Sequence, residues 1–372
     1  MTDRLQALSD LGVSIWLDDL DRTRLTSGGL VRLVQDDHVV GVTTNPSIFS
    51  KAISSGAAAY AAQVASLASG VADADFAVRE MTSQDVRDAC DVFSGIAAAT
   101  HYVDGRVSIE VDPRLARQTD ATIEQARELW QKVNRPNLLI KIPGTAEGLA
   151  AITQTISEGI SINVTLIFSV ARYREVINAW ATGLEKRIDA GKEIASLHSV
   201  ASFFVSRVDT AVDAALEKIG TEDALALRGK AGLANARLAW AAYQEFIASD
   251  RWAALKSAGA FPQRPLWAST SVKDPALPDD MYVVGLAGPG CVNTMPEPTL
   301  RAVADHGDLR GDTLDGQAEA SQKVFDDLEA VGVDMHEVFV QLENEGVDKF
   351  EQAWTELLGT VEQALASDRS AE

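Results

Sequence analysis

The chain has 372 residues, of which 46% are hydrophobic and 23% are charged, a composition typical of a folded globular protein. Acidic residues outnumber basic ones by 54 to 33, and the formal net charge of −21 argues against binding to DNA or RNA. The same charge repels phosphorylated metabolites, so any site for them needs a local positive patch. Cys90 and Cys291 form no C-x-x-C pair, which excludes a disulfide scaffold and a cysteine-rich zinc module.

The first residues lack the basic region and apolar core of a signal peptide. No apolar run approaches the roughly 20 residues that a helix needs to span a bilayer. We therefore expect a cytoplasmic protein that makes no contact with membranes.

Short apolar runs rich in β-formers alternate along the chain with longer helical segments. The predicted strands are Ser14–Leu17, Val39–Thr43, Val107–Val111, Leu138–Ile142, Ile160–Ile167, Val200–Val205, Pro265–Ser269 and Met281–Leu286. Several of these runs are apolar in succession, which is typical of parallel strands covered on both faces. The predicted helices between them include Arg114–Val133, Thr145–Ser157, Ser169–Ala190, Ser206–Ile219 and Ala231–Ala248.

Eight strands separated by helices favour an α/β fold of the (β/α)₈ TIM-barrel class. A doubly wound sheet is the competing fold, and it predicts a glycine-rich loop after the first strand. The sequence after Leu17 has no such loop, because it reads Asp18-Asp19-Leu20-Asp21-Arg22. The glycine-rich segment Gly285–Gly290 has the wrong glycine order for a nucleotide loop, and we interpret it as a strand-to-loop turn.

Two long insertions, Lys51–Arg106 and Ser206–Arg264, show helical spacing and are interpreted as extra helices of a single domain covering residues 1–372. From about residue 296 a helical tail follows, ending in Val347–Leu365, whose apolar residues fit a period of 3.6. We expect these C-terminal helices to pack on the barrel wall. The alternative is that the last helix covers the mouth of the site.

Polar residues at the ends of the predicted strands are the candidate site, because a parallel barrel carries its active site at the carboxyl ends of its strands. Asp18 follows the first strand, Glu110 lies in the third and Lys141 in the fourth. Asn163 and Thr165 are two apart in the fifth strand and therefore share a face.

Lys141 gives the sharpest chemical argument. A buried ammonium costs several kcal/mol unless it is paired or loses its proton. Full burial lowers the pKa of a lysine from about 10.4 toward neutrality, and a neutral amine attacks carbonyl carbons to begin a Schiff base. The alternatives are a structural Lys–Glu pair, or a side chain that reaches water at the strand end.

Imine chemistry also needs proton transfer, and the candidate acids and bases are Asp18 and Glu110. For each alone, an ion pair or a helix cap is an equally good interpretation. A metal site has little support, since the five histidines are dispersed and His336-Glu337 lacks a second histidine at the zincin spacing. No nucleophile elbow and no P-loop are present.

Three segments resemble the transaldolases, the class I Schiff-base enzymes of the pentose phosphate pathway, and in particular their longer bacterial branch. They are Gly41-Val42-Thr43-Thr44-Asn45-Pro46-Ser47-Ile48-Phe49, Leu139-Ile140-Lys141-Ile142-Pro143-Gly144-Thr145-Ala146-Glu147-Gly148 and Ile162-Asn163-Val164-Thr165-Leu166-Ile167-Phe168-Ser169. Asp18, Glu110, Ser202 and Arg207 match as well, and the resemblance runs from about Ser14 to Thr294.

The resemblance implies a circularly permuted barrel without metal or organic cofactor. In the implied reaction, Lys141 attacks C2 of sedoheptulose 7-phosphate or fructose 6-phosphate, and Asp18 takes the C4 hydroxyl proton as C3–C4 breaks. Glu110 and Thr165 handle the water of imine formation. Glyceraldehyde 3-phosphate or erythrose 4-phosphate then accepts the three-carbon unit.

The resemblance also implies the substrate contacts. Asn45, Asn163 and Ser202 bind the dihydroxyacetone unit, and Arg207 binds phosphate. Near the seventh strand the match weakens, and we assign Ser269 and, as second cation, Lys273; a surface-loop lysine is the alternative. The expected partners are phosphorylated sugars, and the oligomeric state, monomer or homodimer, stays open. The alternative functions are an aldolase-type lyase and a catalytically silent sugar-phosphate sensor.

Overall fold

The computed structural model describes residues 3–70 and 72–369 and contains a closed barrel of eight parallel strands in the order β1 to β8. The strands are β1 (Ser14–Leu17), β2 (Gly41–Val42), β3 (Arg106–Glu110), β4 (Leu138–Pro143), β5 (Ile162–Ile167), β6 (Ser199–Phe204), β7 (Arg264–Ala268) and β8 (Val292–Met295). The barrel closes through the pairing of β1 with β8. The predicted (β/α)₈ fold is confirmed.

Helices surround this barrel. The first nine are α1 (Arg4–Asp10), α2 (Arg22–Thr26), α3 (Gly29–Asp36), α4 (Pro46–Ser55), α5 (Ala57–Ser69), α6 (Ala74–Val92), α7 (Ser94–Ala99), α8 (Thr119–Val133) and α9 (Ala146–Glu158). The remainder are α10 (Val170–Asp189), α11 (Ser206–Ile219), α12 (Glu222–Leu225), α13 (Ala231–Ile247), α14 (Asp250–Ser257), α15 (Met281–Val284), α16 (Glu297–His306), α17 (Ala318–Ala330) and α18 (Met335–Arg369). A 3₁₀ turn spans Pro113–Leu115. Within the described ranges, none of the helices combines the length and the apolar character that crossing a membrane requires.

Local signals explain where the helices next to the strands begin. The Asn45 side chain caps α4 by accepting a hydrogen bond from the Ile48 N–H, and Pro46 follows at the first helical position, where its missing N–H costs nothing. Thr145 caps α9 and Ser169 caps α10 in the same way. These caps fix the points at which the chain leaves β2, β4 and β5.

Strand β2 is shorter than predicted, and it lies in close contact with β1. Gly41 pairs with Trp16 of β1, and a Cβ at position 41 would lie 2.5 Å from the indole ring. Only glycine allows the fully buried Trp16 side chain to fill this side of the barrel.

The predicted eighth strand, Met281–Leu286, is wrong. Its first residues form α15, in which Tyr282 and Val283 are buried, and β8 lies later, at Val292–Met295. A short buried apolar run has the same pattern in a helix and in a strand, so the sequence did not separate the two. The segment Gly285–Gly290 is correspondingly a helix-to-strand connection, not a strand-to-loop turn.

Candidate active site

A cavity of about 80 Å³ lies at the carboxyl ends of the strands. It is lined by Asp18, Thr43, Asn45, Lys141, Thr165, Ser202, Phe204, Arg207, Ala268, Ser269, Thr294 and Phe350. A larger cavity of about 660 Å³ lies between α10, α13, α17 and α18, but it contains none of the predicted site residues. The smaller cavity is therefore the candidate active site, at the end of the barrel where this fold places its catalytic groups.

The strand register brings the central side chains into one row. Glu110 of β3 lies opposite Lys141 of β4, which in turn lies opposite Asn163 of β5. Lys141 is only 4% exposed, and its Nζ donates a hydrogen bond to the Thr44 carbonyl at 3.1 Å. The same nitrogen lies 3.3 Å from Glu110 Oε2. Lys141 is therefore inside the barrel and does not reach bulk water as a surface strand-end lysine does.

Glu110 is the carboxyl group closest to the lysine nitrogen. Burial raises the pKa of Glu110 to about 7, although Lys141 opposes the shift by favouring the carboxylate. Within the described residues, neither carboxyl oxygen has a hydrogen-bond partner, and the same is true of the buried Thr165 hydroxyl. A carboxyl group that titrates near neutrality can both accept and return a proton, as acid–base catalysis requires.

We expect the raised pKa of Glu110 to make stability depend on pH. Its ordinary pKa is 4.5, so the folded chain holds the proton more tightly between about pH 4.5 and 7, and the free energy of unfolding falls as the pH rises through that window. In Glu110→Gln this loss, at most about 3 kcal/mol, should disappear. Urea unfolding of both proteins at pH 5 and pH 8 measures it.

The matched control for that experiment is Glu329→Gln, on the exposed surface of α17. This variant should follow the wild-type pH dependence. An unchanged pH dependence in Glu110→Gln would show that the Glu110 carboxyl titrates alike in the folded and unfolded chain.

Strand β5 is irregular where it presents Thr165. The pairing with β6 shifts register between Val164 and Ile167, and Leu166 has a left-handed backbone with φ of 58°. Such bulges redirect side chains and often occur beside active sites. Gly346 of α18 packs against Leu166 and so helps to hold this conformation.

Asp18 is partly buried at the end of β1 and accepts a hydrogen bond from Thr43 Oγ1 at 2.7 Å. Thr43 Oγ1 in turn lies 2.6 Å from Thr294 Oγ1. Burial raises the pKa of Asp18, and the positive charges of Lys141 and Arg207 oppose that shift. The hydrogen bond to Thr43 holds one carboxylate oxygen while the residue lines the cavity that contains Lys141.

The structure separates the three residues predicted to bind the three-carbon unit. Asn45 and Ser202 line the cavity, whereas Asn163 does not. The Asn163 amide donates to Ser108 Oγ at 3.0 Å, and its Oδ1 accepts from Ser202 Oγ at 2.7 Å. Asn163 therefore lies in the same row as Lys141 and orients Ser202, which lines the cavity.

Arg207 and Ser269 lie together at one side of the cavity. Arg207 is in the first turn of α11, and its buried Nη1 has no hydrogen-bond partner among the described residues. Its guanidinium packs on the Phe204 ring at 5.1 Å. Ser269 has a positive φ of 56°, and its hydroxyl lies 2.8 Å from that of Ser206, the residue before Arg207.

The structure does not bring Lys273 to this cavity. Its side chain is exposed, donates to Ser271 Oγ at 2.6 Å and lines a separate surface groove with Arg228 and Asp274. The assignment of Lys273 as second phosphate cation is thus corrected. Three residues separate it from Ser269 in an irregular segment, and the sequence gave no information on the path of that segment.

The C-terminal helix α18 contributes a residue that sequence analysis missed. Phe350 is buried in the cavity, with its ring centroid 5.7 Å from Lys141 Nζ and 5.9 Å from the Arg207 guanidinium carbon. Helix α18 packs on α4, α5 and α6, and Phe350 also brings it over the cavity, so both interpretations of this helix apply. Thr43 and Thr294 were likewise not predicted as site residues, although Thr43 lies in one of the segments that resemble the transaldolases.

Metal-ligating side chains are not grouped near the cavity. Nowhere in the described part of the chain do three or more His, Cys, Asp or Glu side chains come together as a possible metal site. Cys90 and Cys291 are both buried and unpaired with each other.

The chain is similar to known proteins over nearly its whole length. A family model described as Transaldolase/Fructose-6-phosphate aldolase matches residues 15–361. The chain belongs to this family. The transaldolase of Mycolicibacterium smegmatis is 60% identical over 361 residues, which cover 97% of both chains. That of Thermobifida fusca is 58% identical over 367 residues, which cover 99% of this chain and all of the relative.

A third transaldolase, from Saccharopolyspora erythraea, is 58% identical over 361 residues and covers 97% of both chains. Relatives of this similarity extend over the whole chain, including the C-terminal helices that lie beyond the segment of resemblance. The predicted membership of the transaldolases is confirmed, and the chain is an enzyme of the transferase class.

Proposed function

We propose that the transaldolase reaction of this chain proceeds through an imine on Lys141. The observation that carries the proposal is the position of Lys141 Nζ: it is buried inside the closed barrel, 3.3 Å from Glu110, and it faces the cavity that Asp18 and Arg207 also line. Imine formation needs an amine nitrogen within reach of a carbonyl and a nearby group that exchanges its protons. Lys141 and Glu110 form such a pair.

The three-carbon unit is transferred in balanced steps. Lys141 attacks the C2 carbonyl of a ketose phosphate such as fructose 6-phosphate or sedoheptulose 7-phosphate, and the carbinolamine loses water to give the imine. Asp18 takes the C4 hydroxyl proton while the C3–C4 bond breaks, and C4 becomes the aldehyde carbon of an aldose phosphate that leaves. The electron pair of the broken bond moves into the imine and forms an enamine. The enamine attacks an aldose phosphate, Asp18 returns the proton, and water releases the new ketose.

Glu110 and Thr165 handle the water of these steps. Their buried oxygen atoms lack protein hydrogen-bond partners among the described residues, so they are available to a water molecule beside Lys141. The amide nitrogen of Asn45 donates to a hydroxyl group of the dihydroxyacetone unit, and Ser202, whose own proton goes to Asn163, accepts from another. Phe350 closes the cavity above the imine and limits the access of bulk water.

Arg207 binds the substrate phosphate. Among the described residues that line the cavity, the cations are Lys141 and Arg207. No described carboxylate lies within 4.0 Å of the Arg207 guanidinium. A planar guanidinium offers two parallel donors to phosphate oxygens. The Ser269 hydroxyl lies beside the N-terminus of α11, which adds N–H donors at the same place.

Removing the Arg207 guanidinium should weaken phosphate binding selectively. We expect Arg207→Ala to raise KM for fructose 6-phosphate by about 10- to 100-fold, the range for a lost hydrogen bond to a charged group, and KM for unphosphorylated dihydroxyacetone donors far less. Steady-state kinetics with both donors measures this. Lys273→Ala is the matched control and should leave both values near wild type. An equal rise for both donors would remove Arg207 from the phosphate site.

The fate of the enamine distinguishes a transferase from a lyase, since the family includes fructose-6-phosphate aldolases by its description. We expect fructose 6-phosphate with erythrose 4-phosphate to give sedoheptulose 7-phosphate and glyceraldehyde 3-phosphate much faster than fructose 6-phosphate alone gives free dihydroxyacetone. Net cleavage at the faster rate would support the aldolase-type lyase. The absence of both reactions would support a silent sugar-phosphate sensor.

We also propose three general properties of the chain. The chain needs no metal or organic cofactor, it lies in the cytoplasm, and it forms one domain. The oligomeric state stays open between monomer and homodimer.

A further inference from the structure

Two arginines are buried at the opposite end of the barrel from the candidate active site. Arg106 is the first residue of β3 and Arg264 the first residue of β7, and they are 1% and 8% exposed. Burial of a guanidinium removes its hydration, which is costly unless hydrogen bonds and an opposite charge replace the water. The two arginines differ in how far such contacts replace their hydration.

Arg106 has hydrogen bonds but no paired anion. Its Nε donates to the Tyr102 carbonyl at 2.5 Å, and its Nη1 donates to the Pro136 carbonyl at 3.0 Å. Its Nη2 is buried and has no partner in the described part of the chain. No carboxylate of the described residues lies within 4.0 Å of this guanidinium.

Arg264 has one anionic partner. Its Nη2 donates to Asp104 Oδ1 and to the Val103 carbonyl, both at 2.8 Å, and its Nη1 donates to Ser14 Oγ at 2.7 Å. Only Arg264 is paired with a carboxylate, so the two guanidinium groups and Asp104 together carry one net positive charge. His198, in the same region, adds no charge near neutral pH, because burial and the two arginines lower its pKa to about 3.

A cavity of about 50 Å³ lies between these groups. It is lined by Val103, Arg106, Leu139, His198, Ser199, Val200, Phe261, Pro262 and Arg264. A space of this size has room for a halide ion or a few water molecules, and both arginines border it. The apolar walls strengthen the attraction between a guanidinium and an anion inside it.

We propose that this cavity binds one small monovalent inorganic anion, such as chloride, between Arg106 and Arg264. Arg106, Arg264 and Asp104 together carry a net charge of +1, which one monovalent anion neutralises. A divalent anion would leave excess negative charge in an apolar site. The site supports the fold, because Arg264 also contacts Ser14 of β1 and Arg106 belongs to β3. The anion therefore stabilises the N-terminal end of the barrel and takes no part in the transaldolase reaction.

Thermal unfolding tests the proposal when chloride is compared with gluconate at equal ionic strength. At chloride concentrations several times its Kd, we expect the wild-type Tm to rise by about 1–2 °C relative to gluconate. Arg106→Met replaces the guanidinium by a shorter, unbranched apolar side chain and should lose this difference. Arg310→Met removes a guanidinium from a surface arginine that is largely exposed and should keep it.

A crystal of the wild-type protein soaked in bromide provides a readout that does not depend on the variants. We expect an anomalous peak within hydrogen-bonding distance of Arg106 Nη2. Equal Tm values in chloride and gluconate, or ordered water without an anomalous peak at this position, would overturn the proposal. A difference retained in Arg106→Met would also overturn it, because the anion would then bind elsewhere.

Discussion

Lys141→Ala should reduce turnover by a factor of about 10⁴ or more, because the residue supplies the nitrogen that holds the three-carbon unit. The remaining groups cannot replace a covalent intermediate. The variant should still fold, since removal of the ammonium leaves Glu110 free to keep its proton, and its raised pKa already favours that form. Coupled assays with fructose 6-phosphate and erythrose 4-phosphate measure the loss, and circular dichroism measures the fold.

The control for this variant is Lys323→Ala. Lys323 lies on the surface of α17, where it pairs with Asp327 one turn away, and its removal should leave turnover near wild type. Near-normal activity of folded Lys141→Ala would exclude Lys141 as the nucleophile. In that case the buried contact between Lys141 and Glu110 would be a purely structural ion pair.

Asp18→Asn should separate the two halves of the donor reaction. The amide keeps the shape of the carboxylate and can still accept a hydrogen bond from Thr43, but it cannot take the C4 hydroxyl proton. We therefore expect turnover to fall by about 10²–10⁴, the usual range for a lost general base, while the imine on Lys141 forms at close to the wild-type rate. Quenched-flow trapping of the imine, beside steady-state assays, measures the two steps.

Asp19→Asn is the matched control, because it changes the neighbouring carboxylate, which pairs with Arg24 and does not line the cavity. Its turnover should stay near wild type. If Asp18→Asn slowed imine formation and carbon–carbon cleavage equally, the role of Asp18 as the cleavage base would be wrong.

The sequence was sufficient for the barrel and for the row of side chains at its centre. In parallel strands, apolar runs fix which strands are buried, and a two-residue period fixes which side chains share a face. The predicted bounds of β1 and α11 agree with the structure, and Glu110 and Lys141 lie in the predicted third and fourth strands, where they are opposite each other. Their mutual contact follows from backbone geometry that is common to all barrels.

The sequence was insufficient to predict features that depend on tertiary packing. β8 contains the buried polar residues Asn293 and Thr294, so its pattern is weaker than that of the neighbouring apolar run, which forms α15. The sequence also gave no indication that the Asn163 side chain forms hydrogen bonds with Ser108 and Ser202. Such hydrogen bonds join residues distant in sequence, and no local pattern predicts them.

Phe350 shows the same limit for a helix. Its apolar neighbours on α18 predict that one face is buried, yet the pattern is equally compatible with packing on the barrel wall. In the structure α18 packs on α4, α5 and α6 and also brings Phe350 to the cavity. Its distance of about 200 residues from Lys141 in the sequence gave no indication of the contact.

The most direct measurement is mass spectrometry of the protein after borohydride reduction in the presence of fructose 6-phosphate. The reduced three-carbon unit should appear on a single peptide, and fragmentation should locate it on the nitrogen of residue 141. Erythrose 4-phosphate added before the borohydride should remove the label, because the acceptor takes up the unit. A label on another lysine, or no label under conditions of full turnover, would contradict covalent catalysis by Lys141.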